Sequence, residues 1–446
     1  MKTVRLLFIV CAMCGFAQVR AQSNSDDYHP IVLMMLSESD ANAYPATVEG
    51  VIVEQCNSAR TAMGVFETTR REGFQQTHNP PIIFTSRDNR FALGVGGYVN
   101  LRTSYDFMGA VDDIDFVPYK IPILANYANR QRVMMDATAS RIFTKAVVNS
   151  RKLGPVVAYV DMDFRGGEEF SYMPRLRSAY VSMFGLTAGR DVTTFCDLDA
   201  VPETIDHHGP NAYNFNFATM LRYELSVLEN HLTMGLALEM PVVSGTYGES
   251  FRPISQRVPD VPMYVEYSWG RNCRSHVRAS AVLRNMYLHN AVSGENTSLF
   301  GWGVQLSGKL SMCDMVSLYF NGVYGKGITP YIQDLTGSGL DFTPNPENQN
   351  QIQTMPMWAV QGSAQVQIIP EQLTVSGGYS VARVEQHNGY YSVDEYRRGT
   401  YIFGNVFYHV TDNFTLAAEY LRGGRKNMDG LKGTANRVSI MLQYNF

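Results

Sequence analysis

Nine cationic side chains share one parity of the segments that alternate along this chain: Arg102, Arg141, Lys145, Arg175, Arg177, Arg190, Arg222, Arg278 and Arg284. On strands, side chains of one parity share a face. A face lined in this way gathers anions, because charge of one sign beside a low-dielectric wall focuses the potential. Fewer acids take that parity, chiefly Asp161, Asp163, Glu224, Glu239, Glu266 and Glu419. The chemistry on offer is the attraction and sorting of solutes rather than the making of bonds. A second arrangement competes with it, in which arginines and acids pair across an interior and only hold it together.

Catalytic signatures are absent from the sequence. There is no G-x-S-x-G, no H-E-x-x-H and no phosphate loop, so the chain is not expected to be an enzyme. His207 and His208 are adjacent, and neighbouring side chains on a strand or loop point apart; they read as solvated, and neither a metal nor a cofactor is expected. The formal net charge of −4 argues against a nucleic-acid partner. Cys273 and Cys313 fall on neighbouring tight turns, roughly 10 Å apart by strand spacing, beyond disulfide reach; free thiols are expected.

The elements that must hold these residues read as strands. Aromatics make up 12% of the chain, with 26 Tyr and 37 Gly, a composition that suits a large β protein with frequent turns. In the last stretch Val438, Ile440, Leu442, Tyr444 and Phe446 alternate with Arg437, Ser439, Gln443 and Asn445. Val277, Ala279, Ala281 and Leu283 alternate with His276, Arg278, Ser280 and Arg284 in the same way. Inner faces rich in Arg, Asn, Gln and Ser suit a wet lumen, since an Arg against lipid costs on the order of 2–4 kcal/mol. Connections from Arg90 onward are short and long in turn, seven short and eight long. An all-β, sixteen-stranded antiparallel transmembrane β-barrel is expected over residues 90–446.

Ahead of it, Lys2 and Arg5, an apolar run from Leu6 to Phe16 and Val19-Arg20-Ala21 form a secretory leader, residues 1–21. Residues 22–89 are expected to be a periplasmic segment, partly helical, with Val48, Ile52, Cys56, Ala59, Met63 and Phe66 at helical spacing. The terminal strand closed by Phe446 resembles those that bacterial outer-membrane barrels present to the barrel assembly machinery.

Several motifs carry a more specific resemblance. Ser140-Arg141-Ile142-Phe143-Thr144-Lys145, Asp161-Met162-Asp163-Phe164 and Arg175-Leu176-Arg177-Ser178-Ala179-Tyr180-Val181 are followed by Asp199-Ala200-Val201-Pro202-Glu203-Thr204-Ile205-Asp206 and Gly209-Pro210-Asn211. Together they resemble the DcaP-like porin family, from about Arg90 to Phe446. The resemblance implies a trimeric, sixteen-stranded outer-membrane porin for small anionic solutes such as dicarboxylates. It further implies that Phe195 to Asn211 folds into the pore as the constriction, and that Arg141, Arg175, Arg177 and Arg190 line the narrow zone. Arg190-Asp191-Val192 replaces a Gln-Thr-Trp run of the family pattern. Asp197, Asp199, Glu203 and Asp206 make the loop acidic, and an acidic loop facing an Arg wall would also admit zwitterions. The alternative is a structural or adhesive barrel with a blocked lumen and partner-binding outer loops.

Overall fold

Period-two alternation commits most of the chain beyond Arg90 to strands, and the computed structural model shows them closed on themselves. It describes residues 31–35, 66, 69, 71, 73–86, 90–124, 127–150, 152, 154–168, 171–270, 274–385 and 395–446. The leader, the helical stripe from Val48 to Met63 and Cys273 lie outside the described residues.

Sixteen strands form a closed antiparallel barrel. They are β1 Phe91–Met108, β2 Arg141–Ser150, β3 Gly154–Gly166, β4 Met173–Met183, β5 Leu186–Val192, β6 Phe217–Val227, β7 Leu232–Glu239 and β8 Val261–Trp269. The second half comprises β9 Ser275–Asn290, β10 Glu295–Cys313, β11 Val316–Lys326, β12 Pro356–Ile369, β13 Leu373–Val384, β14 Tyr396–Thr411, β15 Phe414–Asn427 and β16 Lys432–Asn445. Closure is made by β16 against β1, from Asn436 opposite Met108 to Asn445 opposite Tyr98. Phe446 extends it, its amide donating to Gly97 O at 2.9 Å and its carbonyl oxygen accepting from the Gly97 amide at 2.8 Å. Among the described residues, the sixteen barrel strands are each paired on both sides, and such a ring leaves no open backbone edge of the barrel itself to lipid.

The outer face is apolar. Leu221, Leu283, Val360 and Ile440 are exposed there, while Arg222, Arg284, Gln361 and Ser439 beside them are buried inside. Among the described residues no helix is long and apolar enough to cross a membrane; the crossing elements are strands.

The interior is filled further than the sequence suggests. Besides the loop at 193–216, the loop after β1 packs Val111, Phe116 and Ile121 on inward Tyr401, Phe403, Leu421 and Ala435. The loop after β11 packs Ile328, Tyr331, Ile332 and Leu335 on inward Val282, Val323, Met357 and Ala382. Inner Gly423 makes room for the first of these, since a Cβ there would come 2.6 Å from the Phe116 ring.

Residues 73–86 depart from the expectation of a segment outside the barrel. Ile82–Ser86 pairs antiparallel with the start of β1, Ile82 opposite Val95 and Thr85 opposite Ala92, and parallel with Ile31–Met35. It takes the place beside β1 below Tyr98, where β16 has ended. Turned back from there, residues 73–80 run inside the lumen.

Candidate functional site

The arginine wall is built by β1 to β6, and each of its arginines meets a carboxylate. Arg102, inward on β1, lies 3.1 Å from Asp115, 3.4 Å from Asp136 and 3.8 Å from Asp206. Arg141 on β2 forms a fork with Asp161 of β3, Nε to Oδ1 at 3.0 Å and Nη2 to Oδ2 closer still. Arg175 and Arg177 on β4 both reach Asp163, at 2.6 Å and 3.1 Å, and Arg177 also lies 3.7 Å from Asp161. A register shift opposite Asp161 and Met162 leaves Arg177 as an extra residue between Leu176 and Ser178, and a bulge of this kind re-aims a side chain. Arg222 on β6 binds Asp191 at 2.9 Å and Glu224 at 3.1 Å. A lining of one sign is therefore replaced by a ladder of paired charges. Arg175, its side chain 41% exposed, keeps the most contact with solvent of this group.

Arg190 corrects the sequence reading. On β5 the buried inward residues are Thr187 and Asp191, and Arg190 takes the opposite parity, opposite Ala179 and Thr219. It donates to Leu176 O at 3.3 Å and does not line the pore. Asp191 is the lumen residue of that pair.

The loop at 193–216 sweeps along the far wall, and its acids anchor it. Asp197 accepts from His276 of β9 at 3.0 Å and from Ser307 of β10 at 2.7 Å. Burial pushes its carboxyl up, but the hydrogen bond and charge of His276, with Arg278 and Ser307, hold it down at about 2. Gln361 of β12 donates to Ala200 O at 2.6 Å, and Asn405 of β14 to Glu203 O at 3.0 Å. Glu419 of β15 accepts the Ile205 and Asp206 amides at 3.1 and 2.9 Å. Asp206 accepts from Tyr401 at 3.0 Å. Glu203 is exposed and Asp199 half-buried, so these two present the loop's acidity to the lumen. Arg278 on β9 supports the loop's start: it donates to Thr194 O at 2.5 Å, lies 3.7 Å from Glu266 and packs over the Tyr264 ring at 3.5 Å. Asp197, Glu266 and His276 bring ligand-type atoms within 4.8 Å of one another. That donor set suits a divalent cation, although His276 and Ser307 already satisfy Asp197 by hydrogen bonding.

Sequence reasoning missed the strap formed by Arg71 and residues 73–80. Arg71 pairs with Asp191. The Phe74 amide donates to Leu198 O at 2.8 Å, and its ring packs edge-on against Tyr213 and Phe215 at 5.3 and 5.5 Å. Gln75 joins the two sides of the lumen: its Nε2 donates to His207 O at 2.7 Å, its Oε1 accepts from Arg177 at 2.8 Å, and its backbone oxygen accepts from Arg141. Thr77 bonds Tyr159 at 2.9 Å. Lys145 points at the same stretch, 3.3 and 2.9 Å from the carbonyl oxygens of Phe66 and Thr69. The one legible signal was glycine on the inward face of β1: a Cβ on Gly94 would stand 2.3 Å from Pro80.

Residues 87–446 match the family described as DcaP outer membrane protein. The crystal structure of the outer-membrane channel DcaP of Acinetobacter baumannii superposes with a TM-score of 0.70 at 19% identity, covering 81% of this chain and 99% of that one. OmpF of Salmonella typhi, solved in complex with daunomycin, gives a TM-score of 0.51 at 13% identity, over 80% of this chain and 99% of its own. No curated protein matches the sequence.

Proposed function

Because the chain belongs to the DcaP outer membrane protein family, it is a porin-like channel protein of the outer membrane, and we propose that it passes small, preferentially anionic solutes by passive diffusion. The observation that supports this is a charge imbalance on the wall. Arg141, Arg175 and Arg177 share two carboxylates, Asp161 and Asp163, which leaves the cluster net positive beside the constriction. A dicarboxylate finds bidentate guanidinium donors there. With Glu203 and Asp199 on the loop across from it, the same gap orients zwitterions. The leader at residues 1–21 directs export, the terminal strand engages the barrel assembly machinery, and the protomer is one of a homotrimer.

The strap favours a second reading, a barrel whose lumen is blocked and whose long loops bind a partner, because Gln75 occupies donors of both Arg141 and Arg177. One measurement separates the two: single-channel conductance in a planar bilayer with a salt gradient. Stepwise openings with an anion-leaning reversal potential support the porin. A silent record supports the blocked barrel, and a cation-leaning one overturns the anion preference.

A further inference from the structure

Along the outer face of β13 to β16, at the long-loop end, runs a row of cations that the pore does not use. Arg383 stands opposite Arg398, Arg398 opposite Lys426, and Lys426 opposite Lys432. All four face outward, because Ala382, Gly399, Asn427 and Gly433 beside them are the buried inner residues. Like charges directly opposite one another destabilise a sheet, and adjacent strands stand only about 4.8 Å apart. Arg383 is neutralised by Glu385 at 2.7 Å, which also accepts from Trp358 at 3.1 Å. Among the described residues, Arg398, Lys426 and Lys432 make no ion pair. Three neighbouring positive charges thus lack a counter-charge among these residues.

The surface below the row is shaped to receive one. Its next cross-strand neighbours are Thr400, Gly424 and Thr434, a shallow floor with two hydroxyls. Arg422, exposed on the same face of β15, bounds that floor on the other side. At its level the apolar belt begins with exposed Ile402, directly opposite Arg422, and it continues with exposed Tyr420 and Ile440. Cations immediately above an apolar belt match an amphiphile that carries phosphate at its head and acyl chains below. In outer-membrane barrels the long loops lie on the outer side, which sets this row at the level of the outer-leaflet headgroups.

We infer that the outer face of β13 to β16 binds the phosphorylated headgroup of an outer-leaflet glycolipid, its phosphate held by Arg398, Lys426, Lys432 and Arg422 and its chains lying on Ile402 and Tyr420. Arginine forks and lysine ammonium groups are the side chains that hold phosphate. The site is independent of what passes through the lumen.

The test measures binding of bisphosphorylated lipid A to the full chain in detergent, against the same lipid with both phosphates removed. The native chain should bind the phosphorylated form at least tenfold more tightly. Arg398→Gln with Lys432→Gln should weaken that binding by about thirtyfold and leave the dephosphorylated lipid unaffected, while Lys309→Gln inside the lumen should change neither. Equal binding of the two lipids by the native chain overturns the proposal whether or not the double variant folds, as does a folded double variant with unchanged affinity.

Discussion

Arg141 and Arg190 are both arginines near the same predicted constriction, and one step of parity separates their fates. Arg141 is buried between Asp161 and Gln75, whereas Arg190 lies on the outer face beside Thr219. Arg141→Ala should therefore shift the reversal potential towards cations, since Asp161 loses its fork. Removing one partner of a buried pair also costs about 3–5 kcal/mol, so the barrel should melt earlier. Arg190→Ala should leave the reversal potential unchanged, and an equal shift in both variants would mean that the outward assignment is wrong. Parity itself was legible in the sequence. What hid Arg190 was the bulge at Arg177, which shifts the parity of the rest of β4, and with it that of Arg190 opposite Ala179, and carries no signature of its own. Asp197 gives a second prediction at this scale. Its carboxyl is depressed to about 2 in the folded chain and lies near 3.9 when unfolded. Its contribution is thus complete above the unfolded value and lost as pH falls through about 2, on the order of 2 kcal/mol. Melting followed from about pH 5 to about pH 2 should show this loss in the native chain, and a flatter profile in Asp197→Asn.

Strands were far more legible than loops, because a strand's burial repeats every two residues while a loop's depends on what it meets. Tight turns read from the sequence fall at the ends of paired strands, as at Met183 to Leu186 and Thr411 to Phe414; the one read at Ser311 to Cys313 is displaced, since β10 runs on to Cys313. By contrast, the loops holding Phe116 and Ile332 read as polar outer connections, yet both bury apolar side chains on the inner wall. Their hydrophobic residues follow neither a period of two nor one of 3.6, so no pattern marked them. Met441, an apolar residue among the polar inner side chains near the end of the last strand, had a purpose visible only in three dimensions: it packs with Ile205, Phe407 and Ala417. The outer face offers the complementary test. Leu283 is 44% exposed between buried Val282 and Arg284, so Leu283→Arg should cost about 2–4 kcal/mol at the bilayer midplane. Heat-modifiable migration should then show a reduced folded fraction, whereas a normal fraction would place that strand face elsewhere.

For the whole molecule, the decisive relation is between the barrel and the strap inside it. Phe74 and Gln75 join the arginine wall to the loop at 193–216 through Leu198, His207, Arg141 and Arg177. While they are seated, the positive cluster is satisfied from within and a solute must compete for it. Displacing the strap should therefore increase both conductance and anion preference. Two substitutions reach this end by different routes. Phe74→Ala removes the ring that packs on Tyr213 and Phe215, at a cost of roughly 3 kcal/mol of anchoring. Gly94→Val leaves the strap's own sequence intact and fills the space that Pro80 occupies. If both raise single-channel conductance with the fold preserved, the strap is an occluding element of an open-capable pore. If Phe74→Ala conducts no better than the native chain and Gly94→Val merely fails to assemble, the occlusion lies in the inward loops around Phe116 and Ile332, and the barrel's interior is built for rigidity rather than passage.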